Sequence, residues 1–228
     1  LEMSKHQVEE EDINIGEAYS KAEKFLEEKK QPIAIVLGAI LVVVFGAFYY
    51  YNMYLPPLQK EAAVESFGAQ QAFENDSFLL AMNGNESFLG FEDIADQYGS
   101  TSIGNTAKYY MGVSLLNTGS YEDAIDYFKS YTPADHMTRA LKEGGIGDAL
   151  SQLGEYEDAV TAYEKASNAY VNEYTTPIYL KKAGILSEKM GDYEKAVKFY
   201  ERIASQYPDS EEGRDIEKYL AHANSFVK

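Results

Sequence analysis

Three segments of this chain repeat one pattern of small and aromatic residues, and no other feature limits its possible folds as strongly. The copies start at Gly112, Gly147 and Gly184, which places them 35 and 37 residues apart. The copies are Gly112-x-x-Leu115-x-x-x-Gly119-x-Tyr121-x-x-Ala124-x-x-x-Phe128, Gly147-x-x-Leu150-x-x-x-Gly154-x-Tyr156-x-x-Ala159-x-x-x-Tyr163 and Gly184-x-x-Ser187-x-x-x-Gly191-x-Tyr193-x-x-Ala196-x-x-x-Tyr200. Because small and aromatic residues recur at helical spacing, the repetition predicts pairs of packed α-helices.

The residue types within each copy indicate packing roles. The first Gly and the Ala allow the two helices of a repeat to approach closely. The middle Gly is expected in the left-handed conformation that ends the first helix. The Tyr that follows it and the last aromatic residue fill the space between helices. We therefore predict that these residues are structural and that none of them is catalytic.

The order and spacing of these residues resemble the tetratricopeptide repeat, whose period is about 34 residues. The resemblance covers residues 105–215 and implies an all-α solenoid of stacked helix pairs. Residues 85–98 are predicted as the second helix of a degenerate earlier repeat, with its first helix inside residues 58–82. Residues 216–226 are predicted to form a capping helix, since the last repeat would otherwise expose an apolar face. The resemblance implies a stack of about nine helices.

One apolar segment lies ahead of the repeats. No charged residue occurs from Gln31 to Gln59, and the centre, Ile33 to Phe48, is apolar throughout. About 20 such residues are enough to cross a bilayer as a helix. A cleaved signal peptide is the first alternative, but about 30 residues precede the run and bulky tyrosines follow it. A buried helix of a soluble protein is the second. We predict an uncleaved transmembrane helix that ends where Pro56 and Pro57 break it.

Positive residues flank this segment unequally. Lys21, Lys24, Lys29 and Lys30 precede it, whereas Lys60 alone lies close on the other side. Under the positive-inside rule this predicts a single-pass protein of a bacterial inner membrane, with a cytoplasmic N-terminus and a periplasmic C-terminal domain.

The segment before the membrane helix combines an acidic run, residues 9–12, with an amphipathic pattern. Asn14 and Glu17 resemble a capping box, and apolar residues recur at helical spacing from Ile15 to Leu26. A short helix is predicted, either as a linker at the membrane surface or as a docking helix for a partner.

The predicted organisation is a cytoplasmic tail (1–31), a transmembrane helix (32–55), connecting helices with a degenerate repeat (56–104), three tetratricopeptide repeats (105–215) and a capping helix (216–228).

Composition excludes several classes of function. Acidic residues outnumber basic ones by 37 to 20, giving a net charge of −17, and binding of nucleic acid requires a basic face. The chain has no cysteine, and its three histidines, His6, His136 and His222, lack the spacing of a metal site. We predict no catalytic residue, no cofactor and no metal, so the protein is predicted not to be an enzyme.

By register with the family, the concave face of the repeats is lined by the first helix of each copy. The resemblance implies that this face binds proteins through Tyr109, Val113, Leu116, Asn117, Asp148, Ser151, Gln152, Lys181, Ile185, Glu188 and Lys189. Some family members hold a chaperone C-terminus with Lys, Arg and Asn at such positions. The first two copies here offer apolar, neutral or acidic residues instead, which disfavours that clamp.

The order of the segments resembles the ancillary subunit of the SecYEG translocon, the YfgM-like family. That family has a small cytoplasmic tail, one span and a periplasmic repeat domain. The resemblance implies protein partners, namely translocon subunits and a periplasmic chaperone or secretory client, and a role in protein secretion. The alternative is an envelope scaffold in outer-membrane assembly or cell division.

Overall fold

The computed structural model describes residues 15–227, which form two compact units that meet in sequence between Tyr54 and Leu55. The first unit contains helices α1 (Ile15–Glu28) and α2 (Lys30–Tyr49), followed by a π-helical turn (Tyr50–Tyr54). The helix predicted ahead of the apolar segment is confirmed as α1. The predicted Asn14 cap and the acidic run lie outside the described residues.

Helix α2 is the apolar segment predicted from the sequence. By length and composition, the helix beginning at Lys30 is able to cross a membrane. None of the residues of α2 is buried, and Val42 and Val43 are 73% and 70% exposed. In the turn that follows, the Tyr50 ring stacks on the Tyr54 ring with centroids 5.6 Å apart.

The second unit contains ten helices and one short hairpin among residues 55–227. These elements are α3 (Leu55–Glu74), α4 (Phe78–Asn83), β1 (Gly84–Asn85), β2 (Phe88–Leu89), α5 (Phe91–Gln97), α6 (Ser102–Thr118), α7 (Tyr121–Ser130), α8 (His136–Leu153), α9 (Tyr156–Ala169), α10 (Thr175–Lys189), α11 (Tyr193–Gln206) and α12 (Glu211–Asn224). Strands β1 and β2 are antiparallel, with Gly84 opposite Leu89. The predicted all-α class is confirmed for the repeat region.

The predicted helix break at Pro56 and Pro57 is wrong, because both residues lie in the first turn of α3. Pro56 and Pro57 directly follow the π-helical turn over Tyr50–Tyr54, where the regular i→i−4 hydrogen bonding is already interrupted, so the N–H groups that proline lacks remove little from the helix there. Its fixed φ also suits the helical conformation.

The three repeats are the helix pairs α6/α7, α8/α9 and α10/α11. Gly119, Gly154 and Gly191 follow the first helix of each pair with φ of +87°, +82° and +82°, which confirms their predicted left-handed conformation. The first Gly of each copy lies under the aromatic ring of the second helix. A Cβ built on Gly147 would lie 2.6 Å from the Tyr163 ring, so only glycine fits.

The core follows these contacts along the stack. Ala124, Ala159 and Ala196, one from each second helix, are fully buried. The core of the last two repeats continues into α12, where Ile216 and Ala223 pack against it. Helix α12 thus covers the end of the repeats, as the sequence predicted, but it begins at Glu211 rather than at residue 216. Its start is fixed by the Ser210 hydroxyl, which accepts a hydrogen bond from the Gly213 N–H at 2.9 Å.

The predicted helix over residues 85–98 is wrong in its first half. The Asn85 side chain accepts hydrogen bonds from the N–H groups of Ser87 and Phe88, at 2.8 and 3.2 Å, and this turn closes the β1–β2 hairpin. Helix α5 therefore begins only at Phe91.

Candidate functional site

Five of the eleven predicted site residues line one groove across the first helices of the repeats. Its cavity has a volume of about 350 Å³. The groove is lined by Leu116 and Asn117 from α6, Tyr121 from α7, Asp148, Ser151 and Gln152 from α8, Tyr163 from α9 and Lys182 from α10. We call it the α6–α8–α10 groove. The sequence-predicted face is thus assembled from separate repeats, as a solenoid requires.

Asp148 is the centre of the groove's polar contacts. Its Oδ1 accepts a hydrogen bond from the Tyr163 hydroxyl at 2.7 Å and one from Lys182 Nζ at 2.5 Å. The ammonium group also lies 5.6 Å from the centroid of the Tyr163 ring. Lys182 and Asp148 keep 40% and 33% of their side-chain area exposed. This ion pair therefore orients the groove wall more than it stabilises the fold.

Three tyrosines that are shielded from solvent lie near Asp148, and Tyr163 is the one among them that lines the groove. The rings of Tyr163 and Tyr179 stack with centroids 6.3 Å apart. Burial, followed by the repulsion of the Asp148 charge, raises the pKa of the Tyr163 hydroxyl. Burial likewise raises the pKa of Tyr179, and it raises the pKa of Tyr109 to about 12. These phenols stay neutral near physiological pH, so Tyr163 keeps the proton that it donates to Asp148.

The other six predicted residues lie outside this groove. Tyr109 and Val113 on α6 are partly buried and pack against the core of the first two repeats. On α10, Lys181 Nζ lies 5.0 Å from the Tyr219 ring, and Lys189 Nζ lies 4.2 Å from the Tyr156 ring. Ile185 is 42% exposed.

Glu188, also on α10, contacts the capping helix. Its Oε2 lies 3.3 Å from His222 Nδ1, and 18% of its side chain is exposed. Burial and the nearby Glu188 carboxylate raise the pKa of Tyr200 on α11. Glu188 therefore has a structural role, because it helps to join α10 to the capping helix at the end of the solenoid.

Sequence reasoning missed Lys182, because it placed Lys181 on the groove instead. Successive repeats are rotated relative to one another, so the same register position does not face the same groove in each. A usable signal was present. Asp148 and Lys182 carry opposite charges and stand 34 residues apart, about one repeat period.

The groove presents amide and hydroxyl groups beside one apolar side chain. Gln152 and Asn117 are exposed, and Asn117 Nδ2 donates to the Val113 carbonyl at 2.8 Å, which fixes the orientation of the amide. The Asp148 charge is balanced by Lys182. Such a surface suits the backbone of an extended or helical protein segment, through hydrogen bonds rather than net charge.

The comparison with protein families gives one match. The family described as "SNAP: Soluble NSF attachment protein, SNAP" matches residues 76–214, more than half of the chain. This range includes the three repeats and the helices α4 and α5 ahead of them.

Solved structures resemble the repeat region in fold. A crystal structure of MamA protein superposes with a TM-score of 0.54 at 16% identity, covering 72% of this chain and 87% of MamA. A second MamA structure gives 0.51 at 17% identity, covering 69% and 93%. At this identity the likeness concerns the fold alone. No curated protein matches the sequence significantly.

Proposed function

Since the chain belongs to the soluble NSF attachment protein (SNAP) family, we propose that the α6–α8–α10 groove is the surface through which it binds other proteins. The repeat region is a TPR-like protein-interaction module. The groove supports the proposal because it collects Leu116, Asn117 and Gln152 from two repeats around a fixed Asp148–Lys182 pair. An SNAP is by name an attachment protein for NSF, and protein attachment is the part of that role that we propose here.

The membrane role is the second part of the proposal. Helix α2 is apolar and unburied, and the lysines beside it favour a cytoplasmic N-terminus. An exposed apolar helix of this length requires lipid or a protein partner around it. We propose a single-pass inner-membrane protein whose repeats lie in the periplasm.

Within that topology we propose an ancillary subunit of the Sec translocon, as in the YfgM-like family. Helix α2 would contact translocon subunits. The groove would hold a periplasmic chaperone or a newly translocated secretory chain. We further propose that the protein catalyses no reaction of its own.

Site-specific photo-crosslinking in living cells tests this function. A crosslinker at Gln152 is expected to capture a periplasmic chaperone or a secretory chain, and one at Val42 a translocon subunit. A crosslinker at Glu122, exposed on α7 away from the groove residues, is the matched control.

Two results would change the proposal. Equal capture from Glu122 and Gln152 would remove the groove as the binding surface. Capture of outer-membrane assembly or cell-division proteins at both Gln152 and Val42 would replace the translocon role with the envelope-scaffold alternative.

A further inference from the structure

The connection between α9 and α10 differs from every equivalent connection in the described part of the second unit. Each second helix, α5, α7, α9 and α11, ends in a tyrosine at its C-cap. Tyr98, Tyr131 and Tyr207 are 6%, 5% and 7% exposed, whereas Tyr170 is 45% exposed. The equivalent tyrosine is therefore buried after three of the four second helices, and Tyr170 is the exception.

Further apolar side chains are exposed next to Tyr170. Val171 is 61% exposed, and Tyr174 is 82% exposed. Ile178, one turn into α10, is 38% exposed. We call Tyr170, Val171, Tyr174 and Ile178 the Tyr174 patch. Several exposed apolar side chains within one short segment of a folded domain indicate a surface that another molecule covers.

The loop that carries the patch is held in one conformation by Asn172. The Asn172 Oδ1 accepts hydrogen bonds from the N–H groups of Tyr174 and Thr175, both at 2.8 Å. Its Nδ2 donates to the Tyr170 carbonyl at 2.8 Å, and its backbone N–H donates to the Thr176 hydroxyl at 3.0 Å. The backbone that carries Tyr174 is thus held in place before any partner arrives, which lowers the entropy that the loop loses on binding.

Acidic residues surround the cleft beside the patch. Tyr174 and Ile178 line a cavity of about 740 Å³ between the start of α10 and the α11–α12 connection. The same cavity is lined by the carboxylates of Glu173, Asp209, Glu211 and Glu212, with Arg214 as its one basic residue. An exposed aromatic residue beside several like charges suits a partner of opposite charge, because the ring supplies contact area and the charges attract and orient the partner.

We propose that the Tyr174 patch is a second interaction surface, and that it binds a protein segment in which Lys or Arg alternates with apolar residues. The apolar side chains of that segment pack on Tyr174 and Ile178, and its basic groups face the four carboxylates. A second copy of this chain is disfavoured because each copy carries a net charge of −17. An anionic lipid surface is disfavoured because the carboxylates would repel it. This surface is separate from the α6–α8–α10 groove and does not depend on the function proposed for that groove.

Binding of a defined peptide to the full chain in phosphatidylcholine nanodiscs tests the proposal. The probe is a short fluorescent peptide in which Lys alternates with Leu and Phe, and its companion has Glu in place of Lys. We expect saturable binding of the Lys peptide above that of empty nanodiscs, weakened by salt, and no binding of the Glu peptide. Equal binding of both peptides, or of neither, overturns the proposal.

Matched variants locate the binding site. Tyr174→Ser is expected to weaken binding by at least about tenfold, whereas Phe67→Ser, at a ring that is 66% exposed on α3, leaves it unchanged. Reversing the first-turn acidic pair of α12 with Glu211→Lys and Glu212→Lys is expected to abolish binding. The same reversal of the first-turn pair of α7, with Glu122→Lys and Asp123→Lys, keeps it.

Three further outcomes would overturn the proposal. Loss of peptide binding in Gln152→Arg would move the site to the α6–α8–α10 groove. Self-association in sedimentation that Tyr174→Ser removes would make a second copy the occupant. Flotation of the protein with added phosphatidylglycerol vesicles that Tyr174→Ser removes would make lipid the occupant. Circular dichroism of each variant confirms that its helices are retained.

Discussion

At the scale of single residues, the fold depends on where side chains are missing or small. The first Gly of each repeat accommodates a ring from the second helix, and the small Ala of that helix is fully buried in the core. These positions were predictable from the sequence, because a repeated pattern shows which residue type every copy retains. The identity of the ring that covers each Gly was harder to predict, since the sequence does not show which of the two aromatic residues in a repeat points towards the first helix.

Ala159 tests this packing most directly. It is fully buried in the core shared by the last two repeats. Ala159→Leu is expected to lower the free energy of unfolding by about 1–3 kcal/mol, because the added atoms overpack a close helix crossing. Glu157→Gln, two residues away on the exposed face of α9, is expected to cost less than about 0.5 kcal/mol. Urea denaturation of a fragment spanning residues 55–228 measures both values, and similar losses would contradict the assigned repeat register.

Tyr109, which packs against the core of the first two repeats, makes stability depend on pH. Its pKa rises from 10.0 to about 12, mainly because burial disfavours the phenolate. A group with a raised folded-state pKa keeps its full contribution to stability below its unfolded pKa and loses it as pH rises toward the folded one. The contribution of the Tyr109 hydroxyl to the free energy of unfolding is therefore expected to be constant below pH 10 and to fall between pH 10 and 12.

Tyr109→Phe separates this effect from general alkaline unfolding. The variant is expected to lose less stability than the parent between pH 10 and 12, as measured by urea midpoints and by the ultraviolet absorbance of tyrosinate. Tyr174→Phe, at an exposed ring, serves as the control and should follow the parent. An identical pH dependence of the parent and Tyr109→Phe would show that the Tyr109 hydroxyl is not protected by burial.

At the scale of elements, the sequence predicts helices well and their ends less well. The three helix pairs were predictable because Gly, Tyr and Ala recur at fixed spacing. The start of α12 at Glu211 and the hairpin at Gly84–Leu89 were not. Both depend on one polar side chain bonding to nearby N–H groups, Ser210 in one case and Asn85 in the other. Serine and asparagine are common enough in loops and helices that such bonds are not visible in a sequence pattern.

The N-cap of α12 offers a matched pair for this interpretation. The Ser210 hydroxyl accepts from the Gly213 N–H, whereas Ser120, at the N-cap of α7, makes no side-chain capping bond. Ser210→Ala is expected to cost about 1 kcal/mol of stability, and Ser120→Ala less than half of that. Hydrogen exchange of the first-turn amides of α12 should rise in the first variant only. Equal costs would mean that the hydroxyl contact does not fix the start of the capping helix.

At the scale of the whole molecule, the proposed roles rest on two surfaces and one apolar helix. The α6–α8–α10 groove was partly predictable, because five of its residues follow from the register of α6 and α8. The Tyr174 patch was not, since Tyr170 occupies a position whose tyrosine is buried in the other helix pairs. Only the structure shows that the tyrosine at this position is exposed to solvent after α9. A departure of one repeat from its neighbours is thus more informative about function than the pattern that they share.

The topology is the last prediction, and it decides which compartment can supply partners for both surfaces. The chain contains no cysteine, so each introduced thiol is the only one present. Ser20 on α1 and Ser225 after α12 are both exposed. With the lysines on the N-terminal side of α2 retained in the cytoplasm, Ser225→Cys is expected to react with a membrane-impermeant maleimide in intact cells. Ser20→Cys is expected to react only after the membrane is permeabilised. The reverse pattern would place the repeats in the cytoplasm and exclude a periplasmic partner, while equal labelling of both in intact cells would show that α2 does not span the membrane.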